Sequence, residues 1–421
     1  MKKHLILLSL LLPFLSCSEK PSGNVESFWD DLDVVAEKVV VDGDSAILCD
    51  YNKIKGQERK MIPFAELFED YEVVKLDNED ERAFLSAHNT EVLISDNYIG
   101  VYCYEKFPFK LFRRSDGKYL RDIGGYGQGP GEYSAVQMAQ IDEEHNRIYI
   151  LPALLNKLFI YDLEGTYLSS ISLSSISGWE FRVDSENERI YLLLTVGAEH
   201  SAFLQVLDME GHVLQELSSE KYDVRGTNPK FARNNASAYD IYIYYSHISF
   251  YNSTVNENTI YANQYDRTDP HNVVDFLCHY LPDENRLSPQ FGIKNLDDKY
   301  NIYEFLNQFV VETLMDSFGV PEDKLNSETI IVDKATGKGC RFDGIRMPSG
   351  LLLKMYTGMR VYCDGYLLAN VFGSELDRQI EKLDRSTLTS SEQKELERLE
   401  SMIHDGKEDC NIIFIAKMKE H

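Results

Sequence analysis

The chain has 421 residues and a formal charge of −26, with 43 Lys and Arg against 69 Asp and Glu. So acidic a surface repels nucleic acid and anionic lipid head groups, and no basic stripe offsets it, so nucleic acid is excluded as a partner. With 26 Tyr and 21 Phe, 12% of the chain is aromatic, which favours strands over helices.

Met1-Lys2-Lys3-His4 opens the chain as a short basic segment, followed by an apolar run of 11 residues, Leu5–Leu15. That is the length of a secretory core and too short to span a bilayer as a helix. Ser16-Cys17 followed by polar Ser18-Glu19-Lys20 resembles a bacterial lipobox, although Phe14 stands where Leu is preferred. The expectation is a signal peptide over 1–16, a lipid on Cys17, and a lipidated tether over 17–36 that holds the rest at a membrane. The lipid would be the only anchor, because no later segment has 18 consecutive apolar residues. Each buried CH₂ of such a lipid contributes about 0.8 kcal/mol. Export and anchoring in the cell envelope, at the outer membrane, follow as the expected location. Losing Lys2 and Lys3 with the signal takes the charge to about −28. The other cysteines are Cys49, Cys103, Cys278, Cys340, Cys363 and Cys410. None form a CxxC pair, and a chain this long needs no disulfide staples, so they read as buried thiols for the most part.

From residue 37 the chain turns strand-like, with Lys38-Val39-Val40-Val41 and later Tyr71–Leu76. A repeat then sets in. One unit runs through Leu93–Val101, Phe109–Arg113 and Ser115-Asp116-Gly117-Lys118-Tyr119-Leu120. The next has Arg147–Ile150, Lys157–Tyr161 and Asp162-Leu163-Glu164-Gly165-Thr166-Tyr167. A third has Arg189–Leu192, Phe203–Leu207 and Asp208-Met209-Glu210-Gly211-His212-Val213. The turn glycines Gly117, Gly165 and Gly211 lie 48 and 46 residues apart. In each unit alternating strands lead into a turn whose Asp caps its own backbone and whose Gly supplies positive φ. Small twisted sheets at this period bury their faces by packing around an axis, which is a β-propeller.

Later units are more divergent: Glu257–Tyr261, Thr329–Lys338 with turn glycine Gly337, and Asp364–Ala369. The count is five units and a sixth shared between the two ends, so the fold class is all-β, a six-bladed propeller over 37–421. Residues 302–318 read as strands on β-branched content and repeat position, although Ile302, Phe305, Phe309 and Val310 also fit a helix. Residues 281–299, with Pro282 and Pro289, read as a loop or one short helix. Residues 374–405 read as a helical insertion in the last blade: Leu376, Ile380 and Leu383 share one face, as do Leu396, Leu399 and Ile403. Thr389-Ser390-Ser391-Glu392 is a capping box for the second helix. Asn411–Lys417 returns to strand.

The run Arg121-Asp122-Ile123-Gly124-Gly125-Tyr126-Gly127-Gln128-Gly129-Pro130-Gly131-Glu132-Tyr133 resembles a loop of exported six-bladed β-propeller lipoproteins of Bacteroides-type bacteria. Those proteins also share the Tyr71–Leu76 strand, the Asp-x-x-Gly turns and a closing strand like Asn411–Lys417. The likeness covers most of 64–421. It departs at Cys410-Asn411, where the family has Asn-Pro, which affects only the register of the last strand. The resemblance implies the propeller and no settled activity.

The glycines of this run invite a phosphate-cradle reading, but a cradle needs a helix next and the following elements read as strand. Gln128, Gly129, Pro130, Gly131, Glu132 and Tyr133 are therefore candidates for an inter-blade loop, with Gln128, Glu132 and Tyr133 alternatively facing a central pocket. The histidines between the two termini, His88, His145, His200, His212, His247, His271, His279 and His404, are scattered and match no metal spacing. Asp116, Asp162 and Asp208 read as turn formers. Tyr239, Tyr242, Tyr244 and Tyr245 read as packed rings or, alternatively, as a sugar or peptide cleft. There is no Gly-x-Ser-x-Gly elbow, and no catalytic residue or cofactor is assigned. The expected function is a membrane-displayed binding or assembly module for a glycan, peptide or protein partner. The alternatives are a lactonase-like hydrolase or lyase with Ca²⁺ or Zn²⁺ in the channel, and a sensor or chaperone subunit of an envelope complex.

Overall fold

The structure, a computed structural model, describes residues 27–420 apart from 42, 86–89, 104–106, 174–177, 195–201, 219–227, 233–241, 247–274, 297–299, 314–327, 355–359, 364 and 404–409. The signal segment and Cys17 lie outside the described residues. No described helix is long and apolar enough to cross a membrane.

Six antiparallel sheets form the ring of a propeller. Blade 1 is Thr90–Ile94, Tyr98–Cys103, Phe109–Arg113 and Tyr119–Ile123, and blade 2 is Val136–Asp142, Arg147–Pro152, Lys157–Tyr161 and Tyr167–Ser172. Blade 3 is Gly178–Asp184, Arg189–Leu194, Ala202–Leu207 and Val213–Ser218. Blade 4 is Asn228–Ala232, Tyr242–Ser246, Asp275–Leu281 and Arg286–Lys294. Blade 5 is Tyr300–Glu304, Gln308–Thr313, Thr329–Asp333 and Gly339–Arg346. Blade 6 takes Arg360–Cys363, Tyr366–Phe372 and Asn411–Met418 from the C-terminal end and its outermost strand, Phe68–Lys75, from the N-terminal end. The sixth blade is thus shared between the ends of the chain. The sequence pattern follows the radius. Second strands, sandwiched between two neighbouring blades, are buried almost throughout, as in Arg147–Pro152 and Arg189–Leu194. The outermost strand Tyr167–Ser172 is covered on one side only and is largely exposed. Apolar clusters fill the spaces between blades, such as Phe109, Ile123, Ile148, Ile150 and Tyr161 between blades 1 and 2.

The N-terminal residues form a belt around the outside. The hairpin Ala36–Val41 and Asp44–Asp50 extends blade 4, with Asp44–Asp50 parallel to Arg286–Lys294. Lys60–Pro63 then runs parallel to Gly339–Arg346 of blade 5, and Phe68–Lys75 completes blade 6. Of the segment expected as a tether, residues 27–36 are packed against the ring. Leu32 and Val35 are buried, and Val35 and Ala36 both donate to the Gly337 carbonyl of blade 5.

The helices Gly373–Lys382 and Ser390–Ile403 lie between the second and third strands of blade 6. Leu376, Ile380, Leu396, Leu399 and Ile403 face one cluster with Ile62 and Phe64 of the belt. The capping box closes reciprocally: the Glu392 amide donates to Thr389 Oγ1 at 3.3 Å, and the Thr389 amide donates to Glu392 Oε2 at 2.8 Å. The strands expected within 302–318 are present through Thr313, and 314–318 lie outside the described residues.

One expectation is corrected. Residues 281–299 are neither loop nor helix through most of their length, because Arg286–Lys294 is a nine-residue strand. Pro282 lies in the tight turn before it, where its carbonyl accepts from the Asn285 amide. Pro289 sits opposite Cys278 at a register shift, where a missing N–H is tolerated. Cys49, Cys103, Cys278, Cys340 and Cys410 are buried and stand outside any disulfide. Burial pushes Cys49 and Cys340 up to about 12.

Candidate functional site

The glycine-rich run connects the outermost strand of blade 1 to the innermost strand of blade 2. Gly125-Tyr126 pairs in parallel with Glu132-Tyr133. The backbone amides a phosphate would need are already engaged: Gly127 donates to the Tyr133 carbonyl, Gly129 to the Glu132 carboxylate at 2.8 Å, and Glu132 to the Gly129 carbonyl. Tyr133 is buried, and its hydroxyl accepts from the Phe109 amide at 2.9 Å and donates to the Ile123 carbonyl. Tyr161 of blade 2 donates to the Gly131 carbonyl at 2.6 Å. Gly131 has φ +73°, and a Cβ there would lie 2.7 Å from the Tyr167 ring, so only glycine fits. The run is a clasp between two blades, with Gln128, Pro130 and Glu132 exposed and Gly131 and Tyr133 buried.

His88, His200, His247, His271, His404 and Tyr239 lie outside the described residues, as do residues 257–261. Tyr242, Tyr244 and Tyr245 fall on the second strand of blade 4. Asp116, Asp162 and Asp208 accept backbone hydrogen bonds within their own turns, as turn formers do. Among the described residues, Asp208, Glu210 and His212 form the one trio whose ligand atoms lie within reach of a single ion. Their proximity follows from the turn itself: Asp208 Oδ1 accepts from the Glu210 and His212 amides, and Asp208 Oδ2 meets His212 Nδ1 at 2.9 Å. The trio stands on the exposed turn between the third and fourth strands of blade 3, away from the inner strands.

His279 of blade 4 meets Glu304 Oε2 at 2.9 Å, and Lys334 of blade 5 pairs with the other carboxylate oxygen. Glu304 is only 6% exposed. Burial pushes its carboxyl up, but His279 and Lys334 outweigh that and hold it below its ordinary value. Lys334 also lies 4.6 Å from the centre of the Phe309 ring. The group staples blade 4 to blade 5.

An open cleft of about 780 Å³ lies where blades 6, 1 and 2 meet. Blade 6 supplies Glu72 and Tyr366, the turns of blade 1 supply Asp96, Asn97 and Arg114, its strands supply Tyr98, Arg113 and Arg121, and a turn of blade 2 supplies Glu164. Arg114 is fixed: it bonds to Glu72 and to the Ser95 carbonyl and stacks over Tyr366 at 5.3 Å. Asn97 is held by Glu143 of blade 2 through its amide at 3.0 Å. Burial pushes the Glu143 carboxyl up, yet the hydrogen bonds from Ser95 and Asn97 bring it below its ordinary value. Arg113 pairs with Asp116 at 2.9 Å. Arg121 is half-buried and has no hydrogen-bond or ion-pair partner among the described residues. In the sequence these cleft residues stood out only as parts of strands, turns and the clasp run, and none of them as a site.

The family described as a domain of unknown function, DUF4934, matches residues 51–417. No curated protein matches the chain. A solved structure of a presumed exported protein of Bacteroides fragilis NCTC 9343 is similar at a TM-score of 0.55 and 12% identity, over 86% of this chain and 98% of that one. A DUF4221 family member from Bacteroides vulgatus ATCC 8482 aligns at 0.47 and 10%, over 85% and 99%. A protein of unknown function from Bacteroides caccae aligns at 0.37 and 10%, over 71% and 89%. At such identities the first likeness shows the fold alone. The chain belongs to the DUF4934 family.

Proposed function

We propose that this DUF4934 propeller is an exported, lipid-anchored binding module whose recognition site is the cleft at the joint of blades 6, 1 and 2. The observation that carries the reading is Arg121, a guanidinium half-buried in a built cleft with no partner of its own among the described residues. A fold gains nothing from withdrawing an unpaired cation from water, so such a group points to a ligand that supplies the missing acceptors. The ring supports this use: strands and turns from three blades meet at the site. Cys17 and the apolar segment before it support export, as does the likeness to a Bacteroides protein itself described as exported. Membrane attachment through the lipid on Cys17 and display in the cell envelope complete the proposal.

The test is an array of oligosaccharides and peptides probed with the purified chain and two variants. Arg121→Ala alters the cleft, and Leu154→Ser alters an exposed turn of blade 2. Binding that Arg121→Ala abolishes and Leu154→Ser leaves intact supports the site. Binding that survives Arg121→Ala moves recognition elsewhere and overturns it.

A further inference from the structure

We infer that the ligand of this cleft is a neutral, polyhydroxylated molecule, a short oligosaccharide; this rests on the reading of the cleft as the recognition site. The inference comes from sorting its polar groups by what they already hold. Arg113 and Arg114 are committed to Asp116 and Glu72. The side chains of Arg121, Asp96 and Glu164 have no partner among the described residues. What is left to meet a ligand is therefore one forked donor, two forked acceptors and the hydroxyls of Tyr98 and Ser115.

That remainder discriminates among ligand classes. An anion would gain one guanidinium and face two carboxylates, within a chain of charge −26. A cation would find the carboxylates but also Arg121, which has nothing else to neutralise it. A peptide needs apolar seats for its side chains, and the only aliphatic residues in the lining are Leu120 and Leu163. Neighbouring hydroxyls on a sugar each donate and accept, so they satisfy guanidinium and carboxylate forks alike with no net charge. Tyr98 adds ring surface against which a C–H face can rest. The volume, about 780 Å³, falls within the range of about 300–1,000 Å³ usual for small-ligand sites, and the open side lets a longer chain continue outward.

The experiment is titration calorimetry of the purified chain with maltotriose, cellotriose, mannotriose and chitotriose, alongside trigalacturonate and trilysine as charged counterparts. The expected result is binding of at least one neutral trisaccharide, weakened about tenfold or more by Arg121→Ala and by Asp96→Ala. Its affinity should change less than about twofold between about 50 and 500 mM salt, because no charge is paired on binding. Preference for trigalacturonate or trilysine, lost in Arg121→Ala or Asp96→Ala, would overturn the ligand class while leaving the cleft as the site. Failure of every neutral probe to bind would likewise overturn the class. Neutral binding indifferent to both substitutions would overturn the site and the ligand together.

Discussion

Gln140 and Val183 are joined by two hydrogen bonds of 2.8 Å: the side-chain amide of Gln140 donates to the Val183 carbonyl and accepts from the Val183 amide. A side chain thus takes the place of a strand and ties the innermost strands of blades 2 and 3 together. Gln140→Glu keeps the shape but removes the donor and sets a carboxylate against a carbonyl. We expect it to lower stability by about 1–3 kcal/mol, read as a lower urea midpoint. An unchanged midpoint would show that the pair adds nothing.

The turn glycines make a second prediction. A Cβ on Gly117 would lie 1.9 Å from the carbonyl oxygen of Lys75, the last residue of the belt strand in blade 6, whereas a Cβ on Gly43 would meet nothing within 4 Å. Both have positive φ. Gly43→Ala should therefore lose only the backbone term, about 1–2 kcal/mol. Gly117→Ala adds a collision with backbone and should lose about 3 kcal/mol or more. Limited proteolysis after Lys75 should accelerate in Gly117→Ala and not in Gly43→Ala. Equal behaviour of the two would refute the contact.

Acid should loosen the joint between blades 4 and 5. The Glu304 carboxyl titrates below its ordinary value of 4.5 in the folded chain. Its contribution is therefore complete above that value and is lost as pH falls through the lower, folded one. Thermal melts from about pH 7 down to about pH 3 should show an acid limb that Glu304→Gln flattens. The same variant should be less stable at neutral pH by about 3 kcal/mol, since Lys334 loses the anion it is buried against. A full acid limb in Glu304→Gln would place its origin at other carboxylates.

The proposed lipid anchor is tested at Cys17. Cys17→Ala should move the protein from the membrane fraction to the soluble fraction and abolish incorporation of labelled fatty acid. Retention in membranes without label would point to a protein partner in place of a lipid.

Much of the ring is legible in the sequence because each blade repeats a local instruction. Asp162-Leu163-Glu164-Gly165 makes its own turn, and Thr389 and Glu392 make their own cap, whatever lies beyond them. The belt is less legible. Ile47–Asp50 and Lys60–Pro63 join blades 4 and 5 in parallel, and nothing local says which edge a strand will seek. Arg286–Lys294 was hidden by Pro289, a residue that argues against a strand unless the bulge that excuses it is known. The cleft was hidden for a further reason: its lining runs from Glu72 to Tyr366, so no window of sequence contains it. The glycine-rich run drew attention by its composition, yet its polar groups mostly hold one another and join two blades.

The pairing of Asn411–Met418 with Phe68–Lys75 also sets an order of events. A nascent chain delivers the outer strand of the last blade near its beginning and the neighbour of that strand only near its end. Until then the ring has two sticky rims, Tyr366–Phe372 on one side and Phe68–Lys75 on the other. Pairing across so long a loop is slow compared with the hairpins in between. A product cut short before Asn411 would keep five blades and still expose both rims, a ready substrate for proteases. Ring closure therefore depends on synthesis running through Met418.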